Sequence, residues 1–297
     1  PYSDLAIYVR VFLPNQVFVR THQNKFSQAL NFNFNQWQNE KGFKKFASHF
    51  YNQTSFLIDR KIKRNGANFD LNPFSKEEEE LIGLNTNFRN SLFFNRGKQY
   101  HSTTYSFLIN ESQNLLSVGS VAAKNQSHQV QYQHLVKKSW LFNFSGSTTS
   151  TESTSENYPN RNFEIESYQV EPKIGYLFSK NASWDVFYEY QQKENQIGDF
   201  ETLKQTRLGT SFTFNSEKGF SMNGEFSMYN NTYDGNALSA VGFQMLEGLQ
   251  PGKNQTWRLL LQKNLTQYLD VNINYQGRNS ETSKTIHTGN IQLRAFF

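Results

Sequence analysis

The chain has 297 residues, no cysteine and a formal net charge of +5. Its length admits one large domain or two ordinary ones, and the missing cysteine excludes disulfides and thiolate metal sites. The basic residues are scattered without a stripe or run, which argues against nucleic acid as a partner.

Aromatic residues make up 16% of the chain, although its mean hydropathy is −0.71. No apolar run is long enough for a membrane helix. A transmembrane barrel, polar inside and aromatic-rich on its lipid face, carries both features at once. The chain begins Pro1-Tyr2-Ser3 without an initiator Met. That fits a removed signal or the carboxy-terminal part of a longer polypeptide, and we expect the latter.

Taken in order, Leu5–Arg20 (Ile7, Val9, Val11, Val17, Val19) reads as a first strand or lead-in within residues 1–25. Period-two alternation, the mark of a strand with one apolar face, then recurs to the end. It is clear at Phe26–Phe34, Phe88–Phe94, Tyr105–Ile109, Trp140–Phe144 and Tyr168–Phe178. It returns at Trp184–Tyr190, Leu208–Phe214, Phe220–Met228 and Leu269–Tyr275, and less cleanly at Phe50–Leu57 and Val130–Val136. The count is thirteen strands after about residue 25, and Leu5–Arg20 makes about fourteen.

Short polar connections are expected at Asn95–Gln99, Lys137–Ser139, Ser179–Ala182, Asn215–Lys218 and Lys263–Gln267. Long ones are expected at Arg60–Gly83, Glu111–Gln126, Ser145–Asn162, Gln191–Thr202 and Asn230–Asn254. Short periplasmic turns alternating with long outer loops are the habit of outer-membrane barrels. This parity makes Ala237–Met245 part of an outer loop rather than a strand, with ordered turn structure at Leu246–Asn254. It also puts Asn279–Lys284 outside. Ser75-Lys76-Glu77-Glu78 suits a capping box and predicts a short helix, with a solvated acidic face as its plain reading and a divalent-cation site as the alternative. Ser145–Glu156 reads as a mobile Ser/Thr-rich loop.

The last strand is Gly289-Asn290-Ile291-Gln292-Leu293-Arg294-Ala295-Phe296-Phe297. Gly289, Ile291, Leu293, Phe296 and Phe297 form the expected barrel-closure and insertion signal, pairing with the first strand from a periplasmic carboxy terminus. The expected inward face holds Glu171, Lys173, Asp185, Glu189, Arg207, Glu225, Arg258, Asp270 and Arg294. Signs so mixed suit cross-lumen pairing better than a selective pore. The six histidines show no metal-ligand spacing on a helix, and no phosphate loop or catalytic motif is present. We expect no cofactor and no enzyme activity; a barrel-embedded hydrolase using His134 or His287 is the catalytic alternative.

Several stretches go beyond this pattern. They are Met245-Leu246-Glu247-Gly248-Leu249-Gln250-Pro251-Gly252-Lys253-Asn254, Trp257, Gly277-Arg278, Ile286-His287-Thr288-Gly289 and Gln292–Phe297. Together they resemble the carboxy-terminal end of large outer-membrane proteins of the Bacteroidota. The resemblance implies an outer-membrane location and a single barrel domain within a larger polypeptide or complex.

The expected fold is therefore all-β: an antiparallel up-and-down transmembrane β-barrel of about 14 strands with long extracellular loops. The expected role is a membrane anchor or subunit of a larger surface assembly for export, outer-membrane protein assembly or uptake. Its expected partners are outer-membrane lipid or lipopolysaccharide, the barrel-insertion machinery and other surface subunits. A stand-alone porin or hydrophobic-solute channel is the first alternative, and a soluble all-β binding protein the second.

Overall fold

A computed structural model describes residues 19–64, 72–74, 81–97, 100–117, 119–217, 219–266 and 268–296. Among them, thirteen strands form one antiparallel sheet in which each strand pairs with the next in sequence. They are β1 (Thr21–Asn33), β2 (Phe50–Lys63), β3 (Leu81–Phe94), β4 (His101–Leu116), β5 (Gly119–Val136), β6 (Trp140–Ser155) and β7 (Phe163–Ser179), followed by β8 (Ala182–Asn195), β9 (Thr202–Ser216), β10 (Phe220–Asp234), β11 (Gly252–Thr266), β12 (Leu269–Ser280) and β13 (Ser283–Ala295). Among the described residues two short α-helices interrupt the meander: α1 (Phe43–Ala47) before β2, and α2 (Ala240–Leu246) before β11.

β1 and β13 are the two ends of this sheet. The fourteenth strand expected at Leu5–Arg20 falls, but for its last two residues, outside the described residues, as do Phe297 and the expected helix at Ser75–Glu78.

The connections differ from the expected pattern. β4 and β5 run through Glu111–Gln126 and leave a turn at Ser117, while β6 continues through the Ser/Thr-rich stretch to Ser155. Likewise the gaps after β8 and β12 close to residues 196–201 and 281–282. The reason is physical. Apolar alternation ends where the apolar face ends, but the backbone ladder goes on satisfying every N–H and C=O, and Thr148, Thr149, Thr151 and Thr154 favour it. Conversely, the first connection on the short-turn end, residues 34–49, is long. The Asn230–Asn254 segment does not pair as a strand beyond β10 and β11; it holds helix α2, and the expected ordered turn follows it, with the Leu249 N–H donating to the Leu246 carbonyl at 2.9 Å.

The register staggers steadily. One row of partners runs from His101, the first residue of β4, through His134, Phe142, Ile174, Val186, Thr210, Phe226 and Trp257 to Gly277. On β12 that row has climbed from Leu269 to Gly277, a drift of about one residue per strand. With a rise of ~3.3 Å and a strand spacing of ~4.8 Å, this corresponds to a tilt of roughly 35°.

The same row also identifies the apolar face. Phe142, Ile174, Val186, Phe226, Ile291 and Leu293 all stand exposed on it. On β7 the face extends from Tyr168 to Phe178, bounded by Glu166 at one end and Lys180 at the other. Ten residues at that tilt span about 25 Å, the height of a bilayer-facing band.

On this face the Trp257 ring lies where a Cβ on Gly277 would fall, covering the bare backbone. Its indole N–H donates to the Tyr275 hydroxyl (3.3 Å), which meets His287 Nδ1 at 2.9 Å. Gly277→Ala therefore displaces the ring and costs about 1–3 kcal/mol. A lowered urea midpoint for the purified chain checks this, whereas an unchanged midpoint means that the ring does not seal that position.

Candidate functional site

The opposite face is polar over most of its length. All nine charges expected to share a face do so by strand alternation and register. Three of them form a tight group: Arg207 donates to Glu189 at 3.3 Å and to Glu225 at 2.5 Å, and its Nε donates to the Ser227 hydroxyl at 3.1 Å. The guanidinium also lies 4.7 Å from the Phe187 ring centroid and 5.3 Å from that of Tyr229. Glu189 is buried, so its charge depends on this partner. Lys173 and Asp185 approach to 4.0 Å. Asp270 and Arg294 stand opposite one another across β12 and β13. Among the described residues, Arg258 enters no ion pair with Glu225, its neighbour in register.

Above these charges the polar face turns apolar, and there the β10–β11 segment folds onto it. Ile165 of β7 and Leu203 of β9 sit off the parity of the outer apolar residues, so they point to the polar side. With Val241, Met245 and Leu246 of α2 they form a buried cluster, against which Phe163, Tyr233 and Ala237 also pack. Leu203 and Met245 are 0% exposed.

Local sequence makes this helix. The Ser239 side chain caps it by accepting from the Gly242 N–H at 2.9 Å. Gly242 has no room for a Cβ against the Asn236 carbonyl and the Ala237 backbone. Val241 and Met245 share one face at the i, i+4 spacing. Glu247 then ends the helix in the left-handed region at φ 54°.

Polar ties hold the segment down. Lys193 donates to the Met245 carbonyl at 3.0 Å and the Glu247 carboxylate at 2.5 Å. Asn231 donates to the Gln250 carbonyl at 3.0 Å, and Arg278 to the Gly248 carbonyl at 3.0 Å. Asn254, nearly fully buried, donates to the Gln250 carbonyl at 2.7 Å and accepts from the Gln250 N–H at 3.0 Å. A cavity of about 470 Å³ remains beneath, bordered by Leu249, Arg258, Gln276 and Arg278. Chemically the arrangement is a latch: an apolar plug with hydrogen bonds at its rim. Chain reading missed it, although the off-parity apolar residues Ile165 and Leu203 were its signal.

The residues expected to close the sheet lie in β13 and just past it. Gly289 pairs with Tyr275, Ile291 with Ile273 and Leu293 with Val271, while the Phe296 N–H donates to the Tyr268 carbonyl at 2.9 Å. The histidines do not gather into one group. His134 faces His101 across β4 and β5, whereas His287 stacks on Tyr275 near Trp257.

No protein-family model matches the sequence, and no curated protein does. Among solved structures, the chain is similar to the translocator domain of the autotransporter NalP from Neisseria meningitidis at 7% identity and a TM-score of 0.31, covering 96% of this chain and 91% of that one. It is similar to the β domain of the Bordetella autotransporter BrkA at 8% identity and 0.31, covering 84% and 92%. The transport unit of the autotransporter AIDA-I from Escherichia coli gives 10% identity and 0.28, covering 99% and 96%.

Proposed function

We propose that the sheet closes into an outer-membrane β-barrel, with its apolar face to lipid and its polar face to the lumen. In this reading the barrel anchors, or serves as a subunit of, a larger surface assembly and carries no chemistry of its own. The observation that carries the proposal is the inverted burial. Large apolar side chains stand exposed along one face, interrupted on β2 and β3 by the hydrogen-bonded Asn52, Thr54 and Asn90, while much of the buried set on the opposite face is polar or charged: Glu189, Lys193, Gln205, Asn231 and Asn254. In water such a patch is a liability; in a bilayer it is the required surface. The tilt of roughly 35° and the band height of about 25 Å support the same reading.

Closure requires β13 to find a partner beyond β1's side of the sheet, and the first strand at Leu5–Arg20 is the proposed one. The short turns then face the periplasm together with the carboxy terminus, and α2 sits at the outer mouth. Lipid, lipopolysaccharide, the insertion machinery and further surface subunits are the proposed partners. The proposed membership of a longer Bacteroidota polypeptide rests on the resemblance of residues 245–254, 257, 277–278, 286–289 and 292–297.

The docked α2 segment and the Glu189–Arg207–Glu225 group favour an occluded lumen over an open pore. Planar-bilayer recordings of the purified chain test this: an anchor gives no steady conductance, and a steady open channel replaces the anchor reading with the porin. Deleting Phe296-Phe297 removes the end of the closing strand, so we expect the barrel to be lost from the membrane fraction. Normal insertion after the deletion contradicts the closure role.

A further inference from the structure

The connection between β1 and β2 differs from the other described turns at its end of the sheet. It is long, and it concentrates Phe34, Trp37, Phe43 and Phe46 with Lys41, Lys44 and Lys45. Within α1, Phe43 is 79% exposed and Phe46 54%. Exposure of two phenylalanines on five helical residues has no rationale in water.

The helix is not detached from the sheet. The Phe46 ring lies 5.2 Å from Phe50 and 6.4 Å from Phe94, and both belong to the outer apolar face. The His49 side chain ties the far side of the helix to Asn95 at 2.8 Å, and buried Ser48 closes it on the Lys45 carbonyl at 2.6 Å. The segment is thus fixed where the lipid-facing band would meet the periplasmic interface, with its aromatics continuing the band. Lys44 is 3.9 Å from Glu40, an exposed pair that leaves the basic balance of the segment in place.

We propose that α1 is an interfacial foot that lies in the periplasmic leaflet, its phenylalanines among the acyl chains and Lys41, Lys44 and Lys45 against anionic phospholipid headgroups. Short basic–aromatic helices bind membrane surfaces in this way, burying the rings and leaving the ammonium groups at headgroup level. This rests on the barrel reading, and the test separates the two.

The chain has no cysteine, so one introduced thiol labels a single place. An environment-sensitive fluorophore is attached to Phe43→Cys, and separately to Ile174→Cys in the band, in full-length chain reconstituted into phosphatidylglycerol-containing vesicles. Brominated lipids are the quencher. We expect both probes to be quenched, and the Phe43 probe to lose quenching in the Lys44→Gln/Lys45→Gln background while the Ile174 probe does not. A water-exposed Phe43 probe beside a quenched Ile174 probe overturns the foot alone. Two water-exposed probes overturn the barrel and the foot together. Equal quenching of the Phe43 probe in purely zwitterionic vesicles, unaffected by the lysine changes, overturns the headgroup recognition.

Discussion

Met245→Ala releases the α2 segment from the sheet and leaves the thirteen-strand ladder in place. Met245 and Leu203 are the fully buried contact at the centre of the latch, and truncating a buried methionine costs about 2–5 kcal/mol. A helix of seven residues has no stability of its own in water, so it cannot persist once its apolar seat is lost. Of the surviving ties, the Lys193–Glu247 pair is weak, because the Glu247 side chain is 68% exposed. No strand contains Met245, so the ladder loses nothing. Limited proteolysis reads the outcome. New cleavage is expected between Asp234 and Gly252, with protection elsewhere unchanged; continued protection of that segment means the latch is held by its polar rim.

Arg207→Ala acts on the sheet itself. It strips Glu189 of its cation in a buried position and leaves Glu225 facing the same space. Breaking such a pair from one side costs about 3 kcal/mol, with the larger share at Glu189 because Glu225 is the more exposed partner. The stacking over Phe187 and Tyr229 is lost as well. Arg207→Lys should recover part of the loss, since one ammonium cannot reproduce the fork that spans two carboxylates. Urea unfolding of the purified chain measures both, and equal midpoints for wild type and Arg207→Ala contradict the assignment.

How much of this was legible from the residues follows from what each signal reports. Period-two alternation located twelve of the strands from Phe26 onward because one face is apolar, as at Trp184, Val186, Tyr188 and Tyr190, whereas β11 was implied only by the connections on either side of it. It also put Glu189 and Arg207 on one face, since register preserves parity. It could not see past the band. Ser145–Ser155 carries small polar residues on both faces, and the apolar residues of Glu111–Gln126, such as Leu115, Leu116 and Val121, keep no alternation, so only the backbone ladder distinguishes strand from loop there.

The inward fold of α2 was hidden for a different reason. Parity excluded Ala237–Met245 as a strand, but docking depends on Ile165 and Leu203, which are far away in sequence and carry the wrong parity for the band. The foot at Phe43 and Phe46 was similarly invisible, because five helical residues leave too short a pattern to register.

The most direct test of the proposed barrel is a single-cysteine scan along β8, from Trp184 to Tyr190, in chain reconstituted in vesicles. Because the native chain lacks cysteine, each label reports one position. The account predicts a period of two: probes at 184, 186, 188 and 190 contact lipid, and those at 185, 187 and 189 do not. Labels that are uniformly water-exposed, or lipid contact without alternation, would contradict it.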